Sequence, residues 1–300
     1  MSQKLPPAQM QPATRALDAG LAPDPVTGAI APNLVASVNN IFTPGSAGFS
    51  ADGADLTEQP FLYARWTNPT TRALEERLAG LEGAEDALAT ATGVAAAAAV
   101  FLTFLKAGDH LIVSEVCYAG VYELATRILP DLGIHVTSCD LTDPAAARAA
   151  LRPTTRLIHA ETPCNPILRL TDLTSLSAVA REVGVLLSVD STLATPVITR
   201  PLDHGVDLVI HSLTKFMGGH GNSIAGVLVD CGTFDWLGAK HRYKTLVEPN
   251  ASYNGMKLAE TFGNFAFAIA ARVMGLRDIG PAISPFNAFL ILNGIETLPL

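Results

Sequence analysis

Hydrophobic and polar positions change their spacing at Asn68. Before it, residues 1–60 carry Pro6, Pro7, Pro12, Pro23, Pro25, Pro32 and Pro44 with few periodic segments, which reads as an extended arm rather than a domain. An arm of that length lies on something, and a neighbouring subunit is the expected surface. At Asn68-Pro69 a helix begins, because Asn caps free N–H groups and Pro at the first helical position loses no bond. Leu74, Leu78 and Leu81 then recur at i, i+4 and i+7, and Gly83 supplies a stop.

Strand and helix patterns alternate from there. Apolar runs predict strands at Ala84–Ala89, Leu111–Val113, Ile134–Thr137, Leu157–Ala160, Val185–Val189, Leu208–Ile210 and Ile224–Val229. Helical stretches fit between several of them, at Val94–Lys106, Val121–Leu129 and Leu173–Val183. The strands lack polar alternation, the signature of a mostly parallel sheet with helices on both faces. Beyond Phe234 the texture shifts: Tyr243–Tyr253 reads as loop, Met256–Arg277 as one long helix and Asn287–Thr297 as another before Pro299. The organisation expected is an arm over 1–60, an α/β domain over 61–245, and over 246–300 the start of a C-terminal domain that the last residue cuts short.

Composition narrows the function. Hydrophobic residues are 49% and charged residues 16%, enough to bury a large core and to exclude disorder for most of the chain. A net charge of -8, from 28 acidic and 20 basic residues, argues against nucleic acid and anionic membrane, and 6% aromatics leave little for stacking on bases. No two of Cys117, Cys139, Cys164 and Cys231 lie within four residues, so no zinc or CxxC pattern exists and reduced thiols in a cytoplasm are expected. The histidines show no metal spacing, and no metal is expected. The first residues have no apolar signal core, and Val94–Leu105 is too short to cross a bilayer.

In an open α/β sheet, ligands sit at the carboxyl ends of the strands. After Ala84–Ala89 comes Thr90-Ala91-Thr92-Gly93-Val94 and a helix, where free N–H groups suit a phosphate unless this is an ordinary strand-to-helix turn. After Val185–Val189 comes Asp190, a carboxylate that is costly at a strand end unless it meets a donor or cation, or merely caps a helix. After Leu208–Ile210 come Ser212, Thr214 and Lys215 before Gly218-Gly219, two hydroxyls for a phosphate and a lysine that a dry pocket would make nucleophilic. Phosphate donors, a strand-end acid and a lysine are together what pyridoxal phosphate (PLP) requires.

These motifs resemble those of the Cys/Met-metabolism, or trans-sulfuration, enzymes. The resemblance rests on Asp190-Ser191-Thr192-Leu193-Ala194-Thr195-Pro196 and on His211 through His220, and continues in Tyr63 through Thr70, Tyr118-Ala119-Gly120 and Glu161 through Pro166. It implies the fold-type I, aspartate-aminotransferase-like α/β architecture of PLP-dependent transferases, with an incomplete C-terminal α+β domain. Within the family, Gly232–Trp236, Glu248–Gly255 and Glu260–Gly263 are most similar to the O-acetylhomoserine sulfhydrylase branch.

The resemblance further implies roles. Lys215 carries PLP and shuttles protons; Asp190 pairs with the pyridine N–H; Gly93 and Val94 N–H groups with Ser212 and Thr214 hold the phosphate. Tyr118 stacks on the ring and assists proton transfer, and Asn165 lies near the phenolic oxygen. Tyr63 and Arg65 reach the phosphate of a neighbouring subunit, so a homo-oligomer, a dimer of dimers, is implied. The implied reaction is gamma-replacement on an O-acylated homoserine by sulfide or a thiol; the alternative is a beta- or gamma-lyase of the methionine gamma-lyase or cystathionine lyase kind. A non-catalytic PLP-binding protein is a third reading. A nicotinamide oxidoreductase is disfavoured, because Ile224 replaces the last glycine after Gly219 and Gly221. Departures from the family pattern are Thr92-Gly93-Val94, Ser191, Ala64 and Cys164, and no residue matches the arginine expected to clamp the substrate carboxylate.

Overall fold

The computed structural model describes residues 9–41, 61–253 and 255–300. Parts of the expected arm, residues 1–8 and 42–60, and position 254 of the branch motif lie outside them. Of the rest of the arm, Pro12–Asp18 forms a helix and residues 20–41 run largely without regular structure.

The helix predicted at Asn68 spans Pro69–Glu82, with the Asn68 side chain accepting from the N–H groups of Thr70 and Thr71. Gly83 closes it at φ 73°, a left-handed conformation in which a Cβ is strained. Leu74, Leu78 and Leu81 are all buried. Fully burying a leucine contributes about 1.5–3 kcal/mol, so Leu74→Ala would cost roughly 2–5 kcal/mol.

Seven strands follow in chain order: β1 Asp86–Thr90, β2 His110–Ser114, β3 His135–Cys139, β4 Thr155–Glu161, β5 Leu186–Asp190, β6 Leu208–His211 and β7 Gly226–Asp230. They form one sheet in the order β1-β7-β6-β5-β4-β2-β3. β7 runs antiparallel to both its neighbours, and the other pairings are parallel. Each predicted apolar run therefore became a strand in a mostly parallel sheet.

Alternate residues of one strand enter two hydrophobic clusters. Leu186, Leu208, Ile210 and Leu228 face the helix Gly93–Phe104 and the segment 258–276. Leu187, Val189, Val209, Val227 and Val229 face the helices Pro69–Glu82, Leu173–Val183 and Pro285–Ile295. A strand covered on both sides needs apolar residues at every position, which is why no alternation shows in the sequence. Residues 258–295, from the segment expected to open a further domain, pack here on both faces of this sheet.

Two helices differ from expectation. The single helix expected over Met256–Arg277 is broken: Leu258–Phe262 ends at Gly263, whose φ 53° and ψ -119° suit only glycine, and the chain resumes in Ala266–Ala270 and a wide π turn over Ala271–Asp278. Val121–Leu129 is likewise interrupted by a π turn at Leu124–Ile128 just before Pro130, whose missing N–H disrupts regular bonding. The Tyr243–Tyr253 loop contains a short helix, Lys244–Val247, and a single 3-10 turn, Ala251–Tyr253.

Candidate active site

The carboxyl ends of β1, β2, β4, β5 and β6 converge on one cavity of about 470 Å³, lined by Gly93, Val94, Tyr118, Asn165, Asp190, Ser212, Thr214 and Lys215. Those eight residues come from five separate motifs of the sequence. Thr92, Val121, Glu161, Thr192, Leu193 and Ile224 complete the lining. A volume of this size falls within the range of about 300–1,000 Å³ usual for small-molecule sites.

The phosphate-type donors are built by close approach of three backbones. At the start of the helix Gly93–Phe104, the Thr92 hydroxyl accepts from the Ala95 N–H at 3.0 Å and the Thr92 carbonyl from Ala96 at 3.1 Å. The N–H groups of Gly93 and Val94 stand outside both bonds, at the positive end of the helix. A Cβ on Gly226 would fall 2.2 Å from the Thr92 carbonyl oxygen, so this turn and the start of β7 meet only through glycine. Thr214 is held against the same strand: its hydroxyl donates to the Ala225 carbonyl and accepts from the Ala225 N–H, each at 3.2 Å.

Asp190 and the lysine turn are joined by Thr192. The Thr192 hydroxyl donates to Asp190 Oδ1 at 2.5 Å and accepts the Ser212 N–H at 2.8 Å, so it ties the end of β5 to the end of β6. The Thr192 N–H also bonds Oδ1, at 2.9 Å. Burial pushes the Asp190 carboxyl above its usual range, and the two Thr192 bonds pull it back. Both fall on Oδ1, leaving Oδ2 outside them. Asp190 caps no helix, since the next one, Thr195–Ile198, begins after Ala194 without a side-chain cap; its bonds to Thr192 are a local turn at the pocket wall.

Lys215 lines the cavity and is exposed, rather than lying in the dry pocket that the sequence allowed for. Tyr118 is 45% exposed, and a Cβ on Gly120 would lie 2.8 Å from its ring, so Gly120 makes room for the tyrosine. Tyr63 and Arg65 do not line this cavity. Arg65 stacks over the Tyr63 ring at 5.2 Å and donates to the Arg277 carbonyl, on a loop paired with arm residues 38–40.

Glu161 is a pocket residue that reasoning from sequence missed. It stands at the end of β4, opposite Asp190 in register, and burial followed by the Asp190 charge pushes it up to about 7. The signal was available, since the argument that singled out Asp190 applies equally to an acid closing the β4 run. His211 is buried, its Nε2 2.5 Å from Glu82 Oε1, which makes it a packed core group. Burial pushes the Cys117 thiol up to about 12, in keeping with a buried apolar role, and Cys164 is buried beside the pocket loop.

Fold and pocket define a cofactor-dependent enzyme, with amine, acid and phosphate donors around one cavity at the switch of an open sheet. The sequence profile of the Cys/Met metabolism PLP-dependent enzymes matches residues 13–300. The O-acetyl-L-homoserine sulfhydrylase of Leptospira meyeri is 45% identical over a 302-residue alignment covering 98% of this chain and 67% of that protein. A canavanine gamma-lyase of Rhizobium leguminosarum bv. trifolii is 41% identical over 245 residues, 81% of this chain and 53% of its own. Among solved structures, an O-acetylhomoserine (thiol)-lyase described from Campylobacter jejuni superposes with a TM-score of 0.89 at 30% identity, over 96% of this chain and 68% of that one, and contains a pyridoxyl-lysine phosphate. The chain belongs to the Cys/Met metabolism PLP-dependent enzyme family. Its cofactor is PLP, and it spans about two thirds of the length of the sulfhydrylase relative.

The residues present fit that cofactor. Glycine at 93 leaves a cradle beside Ser212 that a Cβ would fill, Asp190 keeps an oxygen free of its Thr192 bonds, and the cavity has room for a small aromatic ring. Among the described residues, no helix is long and apolar enough to cross a membrane.

Proposed function

We propose that this chain is a gamma-replacing transferase, which exchanges the acyl group of an O-acylated homoserine for sulfide or a thiol. The observation that carries the reading is the placement of Lys215 and Asp190 in one cavity with the helix N-terminus at Gly93. Similarity to the Leptospira sulfhydrylase over 98% of this chain supports the substrate class.

When bound, PLP withdraws electrons from the substrate so that its α and β protons become removable and a γ substituent can leave. The chain's residues do the rest. Lys215 Nζ would hold the cofactor by its aldehyde carbon and would accept and return the substrate's protons. Asp190 keeps the pyridine nitrogen protonated. Gly93 and Val94 N–H groups with the Ser212 hydroxyl hold the phosphate, and the Thr214 hydroxyl joins them by turning its proton away from the Ala225 carbonyl. Tyr118 covers the ring, and Asn165 orients its phenolic oxygen. Tyr63 and Arg65 serve the phosphate of a second copy, in a cytoplasmic homo-oligomer. Residues 61–245 form the PLP-binding unit of this scheme.

A second reading, gamma-elimination, is favoured by the 41% identity to the canavanine gamma-lyase. One assay separates the two. O-acetylhomoserine with sulfide gives homocysteine and acetate if replacement holds; ammonia and a keto acid, with no thiol incorporation, would establish the lyase instead.

A further inference from the structure

We propose that Glu161 is a positioning residue whose carboxylate clamps together the two loops forming opposite walls of the cofactor pocket. The proposal deepens the PLP reading above and rests on it. Glu161 is 6% exposed at the carboxyl end of β4. Its Oε2 accepts the Tyr118 N–H at 2.5 Å, and its Oε1 accepts the Asn165 N–H at 2.8 Å.

The two donors lie on different loops. Tyr118 belongs to the loop after β2, and Asn165 to the loop after β4. One buried carboxyl group with an oxygen accepting from each loop fixes the span between them. Both bonds end on the backbone of the very residues whose side chains line the cavity. The clamp therefore sets where the Tyr118 ring and the Asn165 amide start from, without Glu161 itself meeting substrate.

The cost of this arrangement is visible. Glu161 and Asp190 are register partners on one face of the sheet; burial raises both carboxyl groups, and the Asp190 charge raises Glu161 further. Among the described residues lining the cavity, Lys215 is the one cation. A buried acid retained beside another acid needs a compensating task, and two backbone bonds to pocket loops supply one.

Substitution Glu161→Gln tests the clamp. Glutamine keeps the shape but has one acceptor oxygen, so its NH₂ group is turned on one of the two N–H donors. The expected result is a folded variant with PLP still on Lys215, altered visible circular dichroism of the bound cofactor, and kcat lower by about tenfold to a hundredfold. In a Tyr118→Ala, Asn165→Ala background the same substitution should change both readouts by less than about threefold, because the side chains it positions are gone. A wild-type dichroism spectrum in Glu161→Gln, or an effect that multiplies in full in that background, would overturn the proposal. Hydrogen exchange of the unsubstituted protein gives a reading independent of variant folding. Slow exchange of both the Tyr118 and Asn165 amides is expected, and fast exchange at either contradicts the clamp. Failure of the unsubstituted protein to take up PLP would instead count against the cofactor reading, while the exchange measurement still judges the clamp.

Discussion

Gly93 and Ser212 meet so closely that a Cβ on Gly93 would lie 2.7 Å from the Ser212 Cβ and 3.0 Å from its Cα. The first turn of a helix and the turn after β6 thus share one wall of the pocket, with backbone N–H groups and a hydroxyl side by side. No flexible side-chain end can yield there. Gly93→Ala must push the helix and the lysine turn apart, an overpacking cost of about 1–3 kcal/mol. We expect PLP binding to weaken by about tenfold, read from a fluorescence titration of the stripped protein with PLP. Unchanged PLP affinity would separate this contact from cofactor binding.

Thr192 supplies a second test of the same wall. Its hydroxyl serves both Asp190 and the Ser212 N–H, at 2.5 and 2.8 Å. Thr192→Val keeps the shape and leaves both partners one bond short. Urea unfolding should show a loss of about 1–3 kcal/mol, accompanied by weaker PLP retention. A stability loss with full PLP retention would assign Thr192 to the scaffold alone.

Asp230 gives the pH dependence. Burial pushes it from the usual aspartate range to about 7, although its oxygens accept the Gly232 and Ala268 N–H groups. An acid raised on folding binds its proton more tightly in the folded state. Its contribution to stability is therefore present at low pH and is lost as pH rises from about 4 to about 7. Relative to Asp230→Asn, the unsubstituted protein should lose about 2–3 kcal/mol between pH 5 and pH 8 in paired denaturant melts. Parallel pH profiles for the two proteins would show that the carboxyl is not shifted.

Cys117 should be inert. With its thiol pushed up to about 12, the folded chain holds on the order of a thousandfold less thiolate at pH 8 than an ordinary cysteine. Iodoacetamide labelling followed by peptide mass analysis should leave Cys117 unmodified until the protein is unfolded. Rapid labelling in the folded protein would point to an open pocket wall next to Tyr118.

Local rules carried much of this structure. The Asn68 cap, the leucines behind it and Gly83 specify a helix within a few residues, and seven mainly apolar runs mark the strands, all buried but the edge strand β3. Where chain-distant partners decide, the sequence was silent. The His211–Glu82 contact joins positions 129 apart, and Gly263 breaks a helix by a backbone conformation that composition does not reveal. The residues of the pocket were legible because each follows a strand, yet the exposure of Lys215 was not. The branch motif Gly232–Trp236 shows the converse. Trp236 stacks with Phe104 and Phe267 and meets Tyr243, whose hydroxyl accepts from Leu186 at the start of β5. That cluster sits at the opposite end of the strand from Asp190, so the motif reports packing rather than a contact with substrate.

The central claim is that Lys215 holds PLP. Reducing the PLP-loaded protein with borohydride and mapping its peptides by mass should place a pyridoxyl group on the peptide containing Lys215, and Lys215→Ala should lose it. A pyridoxyl group on another lysine, or an unmodified Lys215 peptide from fully loaded protein, would contradict the account.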